Sequence, residues 1–151
     1  MKILIKLIAA FTLSIVISNI SNYRPNATIL NVLYTVSGIL FSVGLGLIIT
    51  LVPNGIRNPI YINEIRQTVN EVRNRFFVEF AIVTLSYVIF SDSDNWSIYT
   101  SLIYENFTIK VDLVLFSGSV IFLSLPYFVI NFLSIQKLNN DIFDRVSQET
   151  Q

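Results

Sequence analysis

The sequence predicts an all-α membrane protein, a four-helix transmembrane bundle with both termini cytoplasmic and its third helix extended into the cytoplasm. Three observations carry this prediction. Of the 151 residues, 53% are hydrophobic, and the mean hydropathy of +0.64 is high for a soluble domain of this size. The chain contains four apolar stretches, each of roughly the length that a helix needs to cross a bilayer. Basic residues gather on alternate connections between these stretches.

The four predicted spans belong to a single membrane domain and cover residues 3–20, 29–52, 76–90 and 111–133. A hydrocarbon core of about 30 Å requires about 20 apolar helical residues, because lipid offers no hydrogen bonds to the backbone. The third span is short, since it covers only about 22 Å at 1.5 Å per residue. We therefore expect its helix to begin further back, in the polar residues that precede it.

The positions of lysine and arginine predict the orientation. One side of the predicted bundle carries Lys2, Lys6, Arg57, Arg66, Arg73, Arg75, Lys137 and Arg145, and the other carries Arg24 and Lys110. Because short loops rich in Lys and Arg stay in the cytoplasm, both termini are expected there. The first span also has the basic start of a secretory signal. We expect it to be retained, because its removal would divide the basic regions between two compartments.

The composition also excludes several kinds of chemistry. Cysteine and histidine are absent and the formal net charge is zero. Disulfides, the usual zinc, iron and copper ligand sets, cysteine nucleophiles and histidine bases are therefore excluded. No nucleotide loop or nucleophile elbow occurs either. We expect no enzyme, no cofactor, no metal ion and no direct binding to nucleic acid.

The second span carries a ridge of small residues, Gly38, Ser42 and Gly46, at steps of four. Helices in a bilayer associate by close approach of their backbones, which small side chains permit. The ridge predicts a helix-packing surface. Contact with another span of the same chain, contact between subunits and a flexible gating helix are all compatible with it.

The fourth span carries a polar face, on which Ser117, Ser124 and Asn131 recur every seven residues. This spacing keeps side chains on one side of a helix in a left-handed bundle. Interhelical hydrogen bonding is the preferred interpretation, and a hydrated pore lining is the alternative. In the third span, Glu79 follows Arg75 by four residues, which predicts an ion pair along one helical face.

Between the second and third spans, a cytoplasmic helix is predicted over residues 59–75. Its apolar stripe comprises Ile62, Ile65, Val69, Val72 and Phe76, and its polar side offers Arg66, Gln67, Asn70 and Arg73 for docking a cytosolic partner. Packing of the stripe against the cytoplasmic tail, residues 134–151, and binding of the helix to anionic lipid are the alternatives. The outer loop, residues 91–109, combines acidic and aromatic residues and predicts a short interfacial helix, an acidic vestibule or a recognition surface.

Two spans, a basic helix leading directly into the third ("IRQTVNEVRNRFFVEF"), a polar outer loop and a short charged tail follow one another along the chain. This layout resembles that of small four-span anti-phage membrane proteins such as the Kiwa component KwaA and the phage exclusion protein RexB. The resemblance implies a multi-pass protein of the bacterial inner membrane that forms a homo-oligomer and anchors or signals to a cytosolic effector. The alternative that it implies is a small ion-conducting pore that depolarises the membrane.

Overall fold

In the computed structural model, four long helices account for most of the described chain, which comprises residues 2–21, 23–51, 58–90, 102–104 and 107–149. The helices are α1 (Lys2–Ser21), α2 (Ala27–Thr50), α3 (Pro59–Phe90) and α4 (Leu113–Glu149). Two three-residue strands, β1 (Leu102–Tyr104) and β2 (Phe107–Ile109), pair antiparallel between α3 and α4. The all-α class is confirmed, and an interfacial helix is wrong for the described part of the loop, residues 102–104 and 107–109.

Polar side chains fix the starts of three helices. Asn26 caps α2 by accepting a hydrogen bond from the backbone N–H of Ile29 at 2.8 Å, and Asp112 caps α4 through Val114 at 2.8 Å and Leu115 at 3.1 Å. Asn58 accepts from Ile60 at the start of α3, where Pro59 occupies the first helical position. Each cap satisfies backbone N–H groups that have no partner within the helix.

Contacts between the helices define an up-down-up-down bundle. Ser117 on α4 bonds to Ser86 on α3, whereas Phe128, further along α4, packs on Phe76, which lies earlier in α3. These two helices are therefore antiparallel. At one end of the bundle the Arg24 guanidinium lies 3.6 Å from the Asp112 carboxylate. We call this the Asp112 end, and we call the opposite end, which contains the start of α3 and the end of α4, the tail end.

Helix α4 is the central helix, because it packs against α1, α2 and α3. The residues of α4 that face the other helices form a seam, in which successive positions are separated alternately by three and four residues. This spacing is typical of left-handed packing between antiparallel helices. The seam comprises Ile121, Ser124, Phe128, Asn131, Ile135, Leu138 and Ile142. On α3 the predicted stripe from Ile62 to Phe76 packs against the end of this seam. The interpretation of that stripe as a surface for the tail is therefore confirmed.

The contact of α2 with α3 depends on aromatic rings and on one glycine. Phe41 stacks on Phe80 with ring centroids 4.1 Å apart, and Tyr34 stacks on Tyr87 at 4.3 Å. Close approach is possible because Gly44 has no side chain, since a Cβ built there would collide with the ring of Phe76. At this contact the rings of α2 and α3 stack on one another, and the ring of Phe76 packs directly on the backbone of α2 at Gly44.

Among the described residues, three helical segments are long and apolar enough to cross a membrane: Ile3–Ser21 of α1, Ala27–Thr50 of α2 and Leu113–Asp144 of α4. Helix α3 is continuous but mixed in character, because its first half is polar. Its second half exposes Phe77, Val78, Leu85, Val88 and Ile89. Exposed apolar side chains in this number are unfavourable in water.

Candidate functional site

The most unusual feature of the bundle is a pair of opposite charges buried between helices. Glu79 on α3 is only 2% exposed, and its carboxylate is paired with the ammonium group of Lys6 on α1. Lys6 also donates a hydrogen bond of 3.0 Å to the hydroxyl of Ser124 on α4. Three helices therefore meet at one polar cluster. An ionised carboxylate in apolar surroundings requires such partners, because an isolated charge at the centre of a membrane helix costs about 2.5 to 3.5 kcal/mol.

The partner of Glu79 differs from the one expected. The predicted pair was Arg75 with Glu79, but Arg75 instead lies 3.4 Å from Glu71, and both of these side chains are more than half exposed. The physical reason is burial. Arg75 points to the exposed surface, whereas Glu79 occupies a position of the α3 seam and faces the interior, where Lys6 is within reach. An ion pair at a spacing of four residues does occur on α3, but it joins Arg75 to Glu71 and not to Glu79.

The polar face predicted on α4 has its first two members inside the bundle. Ser117 and Ser124 are both fully buried. The hydroxyl of Ser117 donates to the Ser86 carbonyl of α3 at 2.9 Å, and Ser124 donates to Val120 while accepting from Lys6. Asn131 is half-buried and donates to Tyr127 within its own helix. The interhelical hydrogen bonds of Ser117 and Ser124 agree with the preferred interpretation of this face.

The small-residue ridge predicted on α2 faces away from the other helices. Ser42 and Gly46 are exposed, no atom lies within 4 Å of a Cβ built on Gly46, and Gly38 approaches only Phe80, at 4.0 Å. A contact with another span of the same chain is therefore wrong for most of this ridge. The buried small residues of α2 are instead Ser37 and Gly44.

A groove of about 610 Å³ lies along the outward ridge. Its floor is formed by the stacked rings of Tyr34, Phe41 and Phe80, and Gly38 and Ser42 leave it open. It faces the surroundings on the side of the bundle where α2 and α3 meet. The predicted ridge therefore lies on an outward surface of the subunit.

The four side chains predicted to dock a partner, Arg66, Gln67, Asn70 and Arg73, are all exposed on α3. The opposite face of the same segment is occupied by the tail, since Ile65 on α3 and Ile142 on α4 are both buried in one cluster. The polar side is thus presented outward by a packed pair of helices. Within the described residues, no cluster of three acidic side chains could hold a metal ion. The acidic and aromatic part of the loop, residues 91–101, lies outside the described residues.

Sequence reasoning missed the packing role of α1. Ala10, Ser14 and Ser18 recur every four residues and are buried, and Lys6 extends the same row. This row is as regular as the ridge at Gly38, so the same signal was available. Lys6 has the same spacing of four as these small residues, and this spacing indicates that Lys6 also faces protein.

Comparison of the chain with known protein families, with characterised proteins and with solved structures finds no match.

Proposed function

We propose that this chain is a four-span protein of the bacterial inner membrane that forms a homo-oligomer and anchors or signals to a cytosolic effector protein. The observation that carries the proposal is the length of α3 and α4. Helix α3 has 32 residues and α4 has 37, which correspond to about 48 Å and about 55 Å. A bilayer core of about 30 Å cannot contain either helix, so each must project from it.

The projecting parts are polar and packed on each other. Beyond Leu133 the exposed positions of α4 are mostly polar, as are those of α3 before Phe77, with Phe143 and Ile60 as the large apolar exceptions. We call this antiparallel pair, residues 59–75 of α3 and 134–149 of α4, the tail hairpin. The packing of these two segments on each other supports the interpretation of the tail hairpin as a rigid platform, which is directly continuous with the membrane-embedded parts of α3 and α4.

Charge distribution supports a cytoplasmic position for the tail hairpin. It carries Arg66, Arg73, Arg75 and Lys137, and the Asp112 end carries Arg24, which is paired with an aspartate, and Lys110. The asymmetry favours placing the tail end on the cytoplasmic side. The apolar exposed surface of α3 from Phe77 onward supports counting this helix as the fourth span.

For the homo-oligomer, the groove beside Gly38 and Ser42 is the proposed interface. All copies enter the membrane in one orientation, so a two-fold axis must lie along the membrane normal and α2 must pair in parallel with α2 of a second copy. Small residues then face each other in register, as close helix approach requires. Anti-phage defence is proposed on the resemblance in layout.

The interface can be tested by crosslinking, because the chain contains no cysteine. A Ser42→Cys variant in native membranes should form a covalent dimer on mild oxidation. Val16→Cys on α1, also exposed to the surroundings, is the matched control. Equal crosslinking at both positions would indicate random collision and would contradict the proposed interface.

The partner surface can be tested by charge reversal. We expect Arg66→Glu/Arg73→Glu to abolish protection in a phage plating assay and to remove the protein crosslinked to a photoreactive residue at Asn70. Lys137→Glu, which changes a charge on the other helix of the tail hairpin, is the control and should retain both. Loss of protection in the control alone would contradict the assignment of the surface to α3.

An ion-conducting pore is the alternative function, and the buried pair of Lys6 and Glu79 is the observation in its favour, because ionisable groups inside a membrane mark ion or proton pathways. Its proposed lining is less suitable, since Ser117 and Ser124 are fully buried. Conductance of reconstituted protein that is altered by Ser124→Leu would support the pore. Absence of conductance together with partner capture would support the anchoring function.

A further inference from the structure

Helix α1 is joined to the bundle by a different kind of contact from the other three helices. The main apolar cluster contains Ile48 of α2, Phe76 of α3 and Phe128 of α4 together with neighbours from the same helices, and no described residue of α1 belongs to it. Helix α1 packs chiefly on α4. Its buried residues there are Ala10, Ser14 and Ser18, which are small and bury little apolar surface each. A ring contact between the partly exposed Phe11 and Phe116, with centroids 6.0 Å apart, adds to them.

The two ends of α1 are held differently. Near the Asp112 end, the Asn19 side chain accepts a hydrogen bond from the Lys110 backbone N–H at 3.1 Å and donates to its carbonyl at 3.2 Å. A short connection to α2 restrains the same end. Near the tail end, Lys6 is bound by Glu79 and Ser124. The Asn19 end of α1 is therefore restrained by the connection to α2 and by hydrogen bonds to the Lys110 backbone. The polar contacts at the other end are those of the Lys6 side chain.

We propose that the Lys6–Glu79 ion pair is a latch that holds α1 against α4, and that α1 can swing outward about its Asn19 end while α2, α3 and α4 stay packed. Opening moves Lys6 away from both Glu79 and Ser124 and leaves Glu79 facing the membrane interior. That state is unfavourable unless another cation or a proton reaches Glu79, because an unpaired carboxylate is poorly solvated there. The latch therefore makes the position of α1 depend on what occupies Glu79.

Pulsed electron paramagnetic resonance on spin-labelled protein in lipid nanodiscs tests this proposal, with labels on introduced cysteines. The reporter pair joins Leu4→Cys on α1 to Phe143→Cys on α4, and the control pair joins Ile49→Cys on α2 to Phe143→Cys. All three positions are exposed, so the labels do not disturb packing. The latch is removed by Lys6→Met/Glu79→Gln, which leaves neither charge of the pair unpaired in the interior and so protects against failure to fold.

We expect the double variant to lose the single narrow distance of the reporter pair and to show a second, longer distance, while the control pair is unchanged. The charge exchange Lys6→Glu/Glu79→Lys should restore the narrow distance. An unchanged reporter pair would overturn the latch, because packing alone would then hold α1. Broadening of both pairs would overturn it as well, because the whole bundle would then be loosened. Failure of the charge exchange to restore the distance would show that charge pairing is not the cause.

Discussion

Helix α4 has two interfaces that contrast in chemistry. Towards α2 and α3 it presents Phe128 and Ile135 to large rings and aliphatic side chains, and Gly44 allows the ring of Phe76 to approach the backbone of α2. Towards α1 it meets two serines, one alanine and the ammonium group of Lys6, and the ring of Phe116 contacts Phe11 edge-on with centroids 6.0 Å apart. Large rings and aliphatic side chains dominate the first interface, although it also contains the Ser117–Ser86 hydrogen bond, whereas small buried residues and the contacts of Lys6 distinguish the second. One helix bundle thus combines an interface of large interlocked side chains with another whose fully buried residues are small.

The largest effect is expected at the centre of the first interface. Phe76→Ala should lower the free energy of unfolding by about 3 to 5 kcal/mol, because a fully buried ring is replaced by a cavity. Phe77→Ala is the matched control, since Phe77 is 51% exposed whereas Phe76 is 0% exposed. Unfolding by titration with sodium dodecyl sulfate in mixed micelles measures both. Equal losses in the two variants would place the ring of Phe76 outside the core.

A smaller effect is expected where the backbone of α2 approaches α3. Gly44→Val should destabilise the fold by about 1 to 3 kcal/mol, because the new side chain would collide with Phe76. Gly46→Val should leave the free energy of unfolding of the subunit unchanged, since a Cβ there meets no atom within 4 Å. The same titration measures the fold, and the native mass of the particle measures assembly.

Comparison of the Gly44 and Gly46 variants also distinguishes an effect on folding from an effect on oligomerisation. If the outward ridge joins two copies, Gly46→Val lowers the native mass without affecting the unfolding midpoint of the monomer. A loss of subunit stability in this variant would contradict the outward position of Gly46.

The smallest effect is expected from a hydrogen bond between α3 and α4. Ser117→Ala removes the bond to the Ser86 carbonyl and should cost about 0.6 kcal/mol, which is typical of interhelical hydrogen bonds in membranes. Ser119→Ala is the control, because the equally buried Ser119 bonds only to Leu115 in its own helix. Thermal unfolding in detergent at several scan rates compares the two. A larger loss at Ser119 would contradict the interhelical role of Ser117.

Much of the fold follows from periodicity. The stripe from Ile62 to Phe76 and the tail positions Leu138 and Ile142 could be paired from sequence, because both have the spacing of an antiparallel seam and both continue an apolar span. Extended by three residues, the same pattern reaches Glu79 and places it on the inner face. The Asn58–Pro59 pair is likewise a helix-start signal that can be read from sequence, and Asn58 caps α3 in the structure.

The candidate site was harder to predict, because it depends on which of several equivalent faces meet. Three rows of small residues occur, around Gly38, around Gly44 and around Ser14, and spacing alone does not distinguish a row that faces protein from one that faces outward. The partner of Glu79 lies 73 positions away in the chain. A rule for neighbours along one helix could not find it, since only packing of α1 beside α3 and α4 brings Lys6 close.

The uninterrupted course of α4 also has a mechanical consequence. From Ser124, at the level of the buried charges, the helix continues to Glu149, a distance of about 37 Å. Pro126 lies inside α4 at that level, and an interior proline is a site where helices bend. A change in bend of about 10° there would move the far end sideways by about 6 Å, because the rest of the helix acts as a lever arm. A small change of angle among the apolar parts of the helices would therefore appear at the tail end as a displacement larger than the spacing between neighbouring β-strands.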